Sequence, residues 1–514
     1  MRKKALFSMT LAALLALTMV GCTPGTDDPT PGPDGPGDDD PEEPTVKEYY
    51  MPVYDGVEDG REVSVHDPSI FQDPADGKYY AFGTHFAVAS SPDLINWTQE
   101  AGDNAYSVLY GNATYTYSVS GHDYVWPAAL QKTLELVKPS YVLENGNDNT
   151  IQTTWAPDVE YYNGKYYMYY SLTSYFGSRH SAIGRVEADN VLGPYSNNRI
   201  LINSMDGTGL DPNCIDPELF YDKDGRLWMV YGSASGGIYI KELYNEGENW
   251  GLPMEDGYGT RLWSGTKNQE GPFIFYNETT GYYYLMVSYG SLMTTYNMRV
   301  ARSENPDGPY EDITGLDVAT ATGDNGGNKL AGNYILGDAT GFAAIGHNSV
   351  IEKDGEYFVV AHARRQSGSG GVTPGHNVYV FQLYFNEDGW PVMNPNRYAG
   401  EVLGTGITAD MLDGDYDLVI HTEGTTVTFA QSQTYTFAED GSITLEGENV
   451  GTWALSGDYY MTVTLDGVEY NGVVTPSWSM YGATSDDNYP TFSITAMSNA
   501  GIPLWAVGEY ECWD

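Results

Sequence analysis

The chain has 514 residues, well above the ~250–300 at which one hydrophobic core stops growing, so we expect at least two domains. Its 24 basic and 70 acidic residues give a net charge of −46, which argues against nucleic acid or an anionic membrane surface as a partner. The 44 Tyr and 60 Gly favour many short strands joined by turns. Three cysteines are too few for a disulfide scaffold.

The N-terminus has the pattern of an export signal. Residues 2–4 are basic and residues 5–20 are apolar, which predicts a signal peptide over residues 1–21. The sequence MVGC at residues 19–22 resembles a bacterial lipobox, so we expect Cys22 to be lipidated. Ordinary secretion with an incidental cysteine is the alternative.

Residues 22–46 are rich in Pro, Gly and acidic residues, which predicts a disordered tether. Acidic residues soon after a lipidated cysteine favour anchoring to the outer membrane of a Gram-negative bacterium, facing the cell surface. A lipoprotein that faces the periplasm is the alternative. No other segment is apolar over a length that would span a membrane, so the lipid would be the only membrane contact.

Beyond the tether, one pattern occurs five times: a polar residue, a short apolar strand, a turn with Gly and an aromatic strand. The five copies begin at His66, Ala156, Ile215, Glu270 and Gly346. Their spacing suits four-stranded blades, which predicts an all-β fold with a five-bladed β-propeller over residues 47–398. A β-sandwich would also supply such strands, but not a polar residue at the same phase of each repeat.

The polar residues of the repeats are Asp67, Asp158, Asp216, Glu270 and His347. The innermost strands of a propeller run side by side, so we expect these residues to meet at one mouth of the central channel. Pro follows two of the aspartates directly, which predicts extended backbone at Asp67 and Asp216. The four carboxylates are candidates for glycoside hydrolysis, which needs one carboxyl group to protonate the leaving oxygen and another to activate water or attack.

The aromatic repeat is absent after about residue 400. Alternating apolar and polar residues predict a small antiparallel β-sandwich or barrel over residues 399–514. Trp478, Trp505 and Trp513 could bind carbohydrate, although core packing is the favoured interpretation.

Residues 60–395 resemble glycoside hydrolase family 43, in particular its extracellular endo-α-1,5-L-arabinanases. The resemblance rests on five motifs in the family's order: VHDP at 65–68, WAPD at 155–158, NCIDP at 213–217, EGP at 270–272 and GHNS at 346–349. It implies an inverting hydrolase in which Asp67 is the general base, Glu270 the general acid, and Asp216 orients Glu270 and raises its pKa. Asp67 and Glu270 should then be ~6.5–9.5 Å apart, which leaves room for a water molecule.

The resemblance also suggests substrate-binding residues and a metal ion. Trp155 is expected to stack on a sugar, and Asn213 and Ser233 to bind hydroxyl groups; each of them could equally be a structural residue. Asp158 would shape a sugar subsite or satisfy backbone donors. The resemblance places a metal, usually Ca²⁺, at His347 in the channel, where a histidine without metal is the alternative. The remaining histidines show no ligand spacing.

The expected activity is therefore endo-hydrolysis of a neutral polysaccharide, α-1,5-L-arabinan, by a monomer. An exo-acting α-L-arabinofuranosidase or β-xylosidase would share the same three carboxylates. A surface lipoprotein that binds glycans without cleaving them is a further alternative, although a pure binder has no need of all three acids.

Overall fold

The computed structural model describes residues 62–119, 122–139, 143–145, 148–150, 153–205, 211–265, 268–337, 341–367, 371–480 and 489–509. The expected signal peptide, Cys22 and the tether lie outside these ranges, as does Trp513. Within them, no helix is long and apolar enough to cross a membrane.

The chain first forms four-stranded antiparallel sheets in sequence order. The first comprises β1 (Ser69–Gln72), β2 (Tyr79–Phe82), β3 (Val88–Ser91) and β4 (Thr98–Ala101). An insertion follows that contains α1 (Tyr106–Tyr110), β5 (Thr114–Val119), β6 (His122–Pro127), α2 (Gln131–Val137), β7 (Leu143–Asn145) and β8 (Asp148–Thr150). The second sheet comprises β9 (Thr154–Tyr162), β10 (Lys165–Thr173), β11 (Ser181–Ala188) and β12 (Ser196–Asn203).

Three further sheets continue the series. The third comprises β13 (Glu218–Tyr221), β14 (Leu227–Tyr231), β15 (Ile238–Leu243) and β16 (Thr260–Trp263). The fourth comprises β17 (Glu270–Asn277), β18 (Tyr282–Tyr289), β19 (Asn297–Ser303) and β20 (Asn328–Ala331). The fifth comprises β21 (Tyr334–Ile335), β22 (Phe342–Lys353), β23 (Glu356–Arg365), β24 (Asn377–Phe385) and β25 (Pro391–Arg397). Short 3₁₀ helices lie at Thr84–Phe86, Ala128–Leu130, Gly247–Asn249, Val318–Thr320 and Ala409–Leu412.

The five sheets are the blades of a propeller, as predicted. Each repeated sequence forms the inner hairpin of a blade, because its Gly-containing turn joins the innermost strand to an aromatic second strand. The innermost strands β1, β9, β13, β17 and β22 contact one another in order around the ring. Apolar packing between the first and fifth blades, which includes Val65, Tyr79, Phe358 and Val380, closes the ring. Burial of such apolar surface is the main favourable term in folding.

The expectation of extended backbone before the two prolines is wrong. Asp67 and Asp216 have φ angles of 56° and 55°, in the left-handed region, and so do Gly271 at 57° and His347 at 45°. This conformation is rare for residues other than Gly and persists only where surrounding contacts hold it.

Hydrogen bonds from the neighbouring blade hold these left-handed residues. In three cases the backbone N–H donates to a side chain on the second strand of the preceding blade. The pairs are Asp67 with Nδ1 of His362 at 3.0 Å, Asp216 with Oγ of Ser171 at 3.0 Å, and His347 with Oγ of Ser288 at 2.7 Å. Because the same type of hydrogen bond occurs at three blades, the left-handed conformation is a consequence of how adjacent blades pack.

The C-terminal region is a closed antiparallel barrel, one of the two predicted forms. Its strands are β26 (Gly414–Ile420), β28 (Gln433–Phe437), β29 (Ser442–Leu445), β30 (Glu448–Ser456), β31 (Tyr460–Leu465), β32 (Val468–Ser479), β33 (Tyr489–Ser498) and β34 (Pro503–Gly508). The short strand β27 (Ala430–Gln431) leaves the barrel and pairs in parallel with β21 at the edge of the fifth blade. Trp505 is fully buried, in agreement with the core interpretation.

Candidate functional site

All five blades contribute to one cavity of about 760 Å³ at the mouth of the channel. Its lining includes Asp67, Trp155, Asp216, Glu270 and His347, one residue from each blade in turn. These residues lie at or next to the start of the repeated hairpins, so the equivalent register of the blades brings them together. The predicted Asn213 and Ser233 also line this cavity.

Asp67 is held as a carboxylate. Its Oδ1 lies 3.0 Å from Nδ1 of His347 and 3.1 Å from Nε2 of His66, and its Oδ2 accepts a hydrogen bond from Oγ1 of Thr84 at 2.5 Å. Burial alone would raise the pKa of Asp67, but the charge of His347 and the hydrogen bond from His347 hold it well below its ordinary value. A buried, ionised carboxylate facing a cavity is suited to accept a proton.

The pKa values of Glu270 and Asp216 shift in the opposite direction, upward. Burial raises the pKa of Glu270, although hydrogen bonds from the Tyr296 hydroxyl to Oε1 and from Oγ of Ser233 to Oε2 at 2.9 Å oppose the rise. Burial, with the negative charges of Glu270 and Asp67, raises the pKa of Asp216 to about 8 against the opposing charge of His347. The cavity therefore contains both an ionised carboxylate and carboxyl groups that favour the proton, which is the division that acid–base catalysis requires.

Asp158 does not line the cavity, in contrast to the substrate-binding assignment. In the hairpin register Trp155 pairs with Ser171, as Glu270 pairs with Ser288 in the fourth blade. The repeat position in the second blade is therefore next to Trp155, and Asp158 lies further along β9, away from the mouth. Its Oδ1 accepts from Oγ of Ser69 at 2.7 Å and its Oδ2 accepts from the N–H of Leu219 at 3.0 Å. Asp158 thus connects three blades, which is the backbone-satisfying role that the sequence left open.

The other predicted contact residues are placed to meet a ligand. Trp155 is partly exposed in the cavity, with its Nε1 donating to Oγ1 of Thr173 at 2.7 Å. Phe176, which the sequence did not single out, lies edge-on to Trp155 with ring centroids 5.8 Å apart, and 58% of it is exposed. Oδ1 of Asn213 is buried and makes no hydrogen bond to any residue within the described ranges. Aromatic faces beside an unpaired polar atom suit a sugar, which has apolar faces and hydroxyl edges.

Three histidines form a cluster beside Asp67 that sequence reasoning missed; His362 and His376 are buried and His66 is half-buried. The rings of His66 and His376 stack at 4.2 Å, and the ring of His362 lies 4.2 Å from that of His376. Burial lowers the pKa of all three, that of His376 to about 3, so they are neutral. No signal in the sequence brings them together, because His362 lies on the second strand of the fifth blade and His376 directly precedes the third.

This histidine cluster could offer three nitrogen ligands to a metal ion, but its hydrogen bonds oppose that role. Nε2 of His376 lies 2.9 Å from Nε of Arg364 and 3.2 Å from the carbonyl oxygen of Leu292, so it is engaged in either tautomer and a fixed positive charge adjoins it. Nδ1 of His362 accepts from the N–H of Asp67 at 3.0 Å. The cluster is better suited to supporting Asp67 than to binding a cation.

His347 is a better candidate to meet a cation. Its Nδ1 contacts Asp67, and its Nε2 makes no hydrogen bond to any residue that the structure describes. Against burial, the charges of Asp67, Asp216 and Glu270 and the hydrogen bond to Asp67 raise the pKa of His347 to about 9. The same negative field that favours a proton there would favour a bound cation, so the residues fit a metal ion held through Nε2 with oxygen ligands from water.

Comparisons with known proteins agree with the sequence resemblance. Residues 125–391 match the glycosyl hydrolases family 43, and residues 395–506 match the C-terminal lipocalin-like domain of that family. The chain is 38% identical over 476 residues to extracellular endo-α-(1→5)-L-arabinanase 2 of Bacillus subtilis, covering 87% of this chain and 93% of that protein. It is 37% identical over 483 residues to the extracellular endo-α-(1→5)-L-arabinanase of Thermotoga petrophila, covering 87% and 94%.

Two solved structures extend this similarity to three dimensions. The family 43 YxiA protein of Bacillus licheniformis matches with a TM-score of 0.76 and 35% identity, over 88% of this chain and 99% of that chain. The endo-1,5-α-L-arabinanase of Thermotoga petrophila matches with a TM-score of 0.75 and 35% identity over the same shares. The similarity therefore includes both the propeller and the barrel.

Proposed function

The chain belongs to glycosyl hydrolase family 43, and from this premise we propose that it cleaves internal α-1,5 bonds of L-arabinan with inversion at the anomeric carbon. The observation that carries the proposal is that one cavity holds Asp67, whose pKa is held well below its ordinary value, and Glu270, whose pKa burial raises. A pure glycan-binding protein has no use for carboxyl groups whose pKa values diverge in this way.

We propose that Asp67 is the general base and Glu270 the general acid. Asp67 takes a proton from water while the water oxygen forms a bond to the anomeric carbon. The glycosidic C–O bond breaks, and the leaving oxygen receives the proton of Glu270. Asp216 and Glu270 resist ionising together, so the pair retains a proton at neutral pH, and we propose that Glu270 is the group that delivers it. Both catalytic groups then exchange protons with solvent before the next turnover.

The substrate preference can be tested by product profiling on linear α-1,5-arabinan. Early time points should contain arabino-oligosaccharides of mixed length, because an endo enzyme binds within the chain. Arabinose as the sole early product would identify an exo enzyme instead. Binding of arabinan without new reducing ends, in a preparation with native structure, would identify a non-catalytic binder. Glu270→Gln is the matched inactive control.

We further propose that His347 holds Ca²⁺ through Nε2, with water completing the coordination. Such an ion would supply positive charge near the carboxylates when bound. Metal analysis of His347→Ala should show loss of the ion, whereas an exposed control, His122→Ala, should retain it. Equal ion content in the two variants would remove His347 from the ligand set.

For location, we propose that the protein is exported and anchored through a lipid on Cys22. The lipobox-like sequence supports this, and relatives carry the word extracellular in their names. Cys22→Ala should move the protein from the membrane to the soluble fraction, while Cys512→Ala should leave it in the membrane. A Cys22→Ala protein that remains in the membrane fraction would show that something else anchors it.

A further inference from the structure

Residues 290–296, the rim loop, join β18 to β19 at the mouth of the cavity. Gly290, Ser291, Leu292 and Met293 line the cavity, and the loop ends at Tyr296, whose hydroxyl donates to Oε1 of Glu270. The rim loop therefore shapes the cavity and also contacts the proposed general acid. Its backbone position sets the direction from which Tyr296 reaches the carboxyl group.

A segment of the C-terminal barrel lies against this loop. Residues 421–429, the strap, join β26 to β27 and run along the fourth blade, after which β27 pairs with β21. Gly290 has a φ of 91°, and a Cβ atom there would lie 2.8 Å from Cγ2 of Thr425. The base of the rim loop and the strap are thus in close contact, and a larger residue at either position would separate them.

Two buried asparagines bond to both segments at once. Nδ2 of Asn297 donates to the carbonyl of Thr295 at 3.1 Å and to Oγ1 of Thr425 at 3.3 Å. Nδ2 of Asn333 donates to the carbonyl of Thr294 at 2.8 Å and to that of Thr426 at 3.3 Å. Each amide therefore ties a rim-loop residue to a strap residue, so a displacement of one segment weakens the contacts of the other.

Two buried basic side chains fix the strap to the fourth blade. Nζ of Lys329 donates to the carbonyls of Thr422 at 2.6 Å and Gly424 at 2.9 Å, and Nη2 of Arg299 donates to that of Glu423 at 3.1 Å. Removing a charged group from water is costly unless other dipoles solvate it, and here the strap carbonyls do so. Burial lowers the pKa of Lys329 to about 7, which reflects how completely water is excluded.

We propose that the barrel domain is a positioning element for catalysis, acting through the strap and the rim loop on Tyr296 and Glu270. The inference rests on the proposed role of Glu270 as the general acid. Lys329 and Thr425 are positioning residues, since they contact neither the cavity nor the acid. When the strap loosens, the rim loop moves and proton delivery to the leaving oxygen becomes less efficient.

Leaving-group dependence tests this directly. A phenol of low pKa departs without protonation, whereas one of high pKa needs the acid. Lys329→Met and Thr425→Val should each lower kcat on aryl arabino-oligosides of high-pKa phenols, and the loss for Lys329→Met should be about ten-fold. On the same oligosides of low-pKa phenols, each variant should lose less than about three-fold. Thr428→Val, in an exposed part of the same strap, should match the wild type on both. Tyr296→Phe combined with Lys329→Met should lose less than the product of the two single losses.

An equal loss on both kinds of phenol would overturn the proposal, and so would independent, multiplicative losses in the double variant. If Lys329→Met does not fold, Thr425→Val tests the proposal through the same comparison of kcat on high-pKa and low-pKa phenols. It removes a single acceptor while keeping the volume of the side chain. Hydrolysis of linear arabinan by the wild type is measured separately. Its absence would count against the proposed substrate while the phenol series still tests the strap.

Discussion

The hydroxyl group of Tyr296 donates a hydrogen bond to Oε1 of Glu270, while Ser233 donates to Oε2 at 2.9 Å. Both oxygens of the proposed acid are therefore fixed in direction. Each bond favours the ionised carboxylate and so lowers the pKa that burial raises. The acid is thus held in place by contacts that limit how strongly it retains its proton.

Removing the Tyr296 hydroxyl should shift the pH profile upward. In the wild type, kcat/KM should fall at alkaline pH as Glu270 and Asp216, whose charges interact, lose their protons, with the Asp216 pKa at about 8. Tyr296→Phe removes a bond that stabilises the ionised form, so the pKa of Glu270 rises and the alkaline limb moves to higher pH. Tyr161→Phe, at an exposed tyrosine of the second blade, is the control. An alkaline limb at the same pH in Tyr296→Phe would contradict this account of the acid.

Trp155 should contribute to binding more than to chemistry. Loss of its ring in Trp155→Ala should raise KM for arabinan by up to about ten-fold with a smaller change in kcat, since aromatic contacts are worth ~0.5–1.5 kcal/mol. Trp155→Phe keeps an aromatic face and loses only the bond to Thr173, so it should lie nearer the wild type. A fall in kcat at unchanged KM would instead place Trp155 in the catalytic step.

Ser171 should stabilise the left-handed backbone at Asp216. Ser171→Ala leaves the buried N–H of Asp216 without its acceptor, which should cost ~1–3 kcal/mol and lower the midpoint of thermal unfolding. Ser196→Ala, on the exposed outer strand of the same blade, should leave the midpoint unchanged. Equal midpoints for the two variants would show that Asp216 keeps its conformation without this bond.

The blades could be predicted because each inner hairpin is local in sequence. The site residues that start equivalent hairpins converge, and the phase of the repeats predicts this. They are Asp67, Asp216, Glu270 and His347. Asp158 was misplaced because its motif was aligned on the aspartate, whereas the pairing of its strand places Trp155 at the mouth.

Other parts of the site depend on contacts between blades, which no local pattern contains. His362, His376 and Tyr296 come from outer strands and loops that meet the site only after the ring closes. The left-handed φ of Asp67 likewise depends on a hydrogen bond to His362, 295 residues away. The contact between the strap and the rim loop could not be predicted either, since the two segments belong to different domains.

The central claim is that Asp67 activates water and Glu270 protonates the leaving oxygen. Water activation is required for every substrate, whereas protonation matters only when the leaving group is poor. Glu270→Ala should therefore lose much more activity on linear arabinan than on an aryl arabino-oligoside of a low-pKa phenol. Asp67→Ala should be impaired to a similar degree on both.

The decisive measurement is the ratio of kcat/KM on these two substrates for Glu270→Ala, Asp67→Ala and the wild type. General acid catalysis contributes ~10²–10⁴-fold, so the ratio for Glu270→Ala should differ from the wild-type ratio by at least ~10²-fold. The ratio for Asp67→Ala should equal that of the wild type. Recovery of Asp67→Ala, rather than Glu270→Ala, on the low-pKa phenol would reverse the two roles, and equal losses for both variants on both substrates would contradict the assignment.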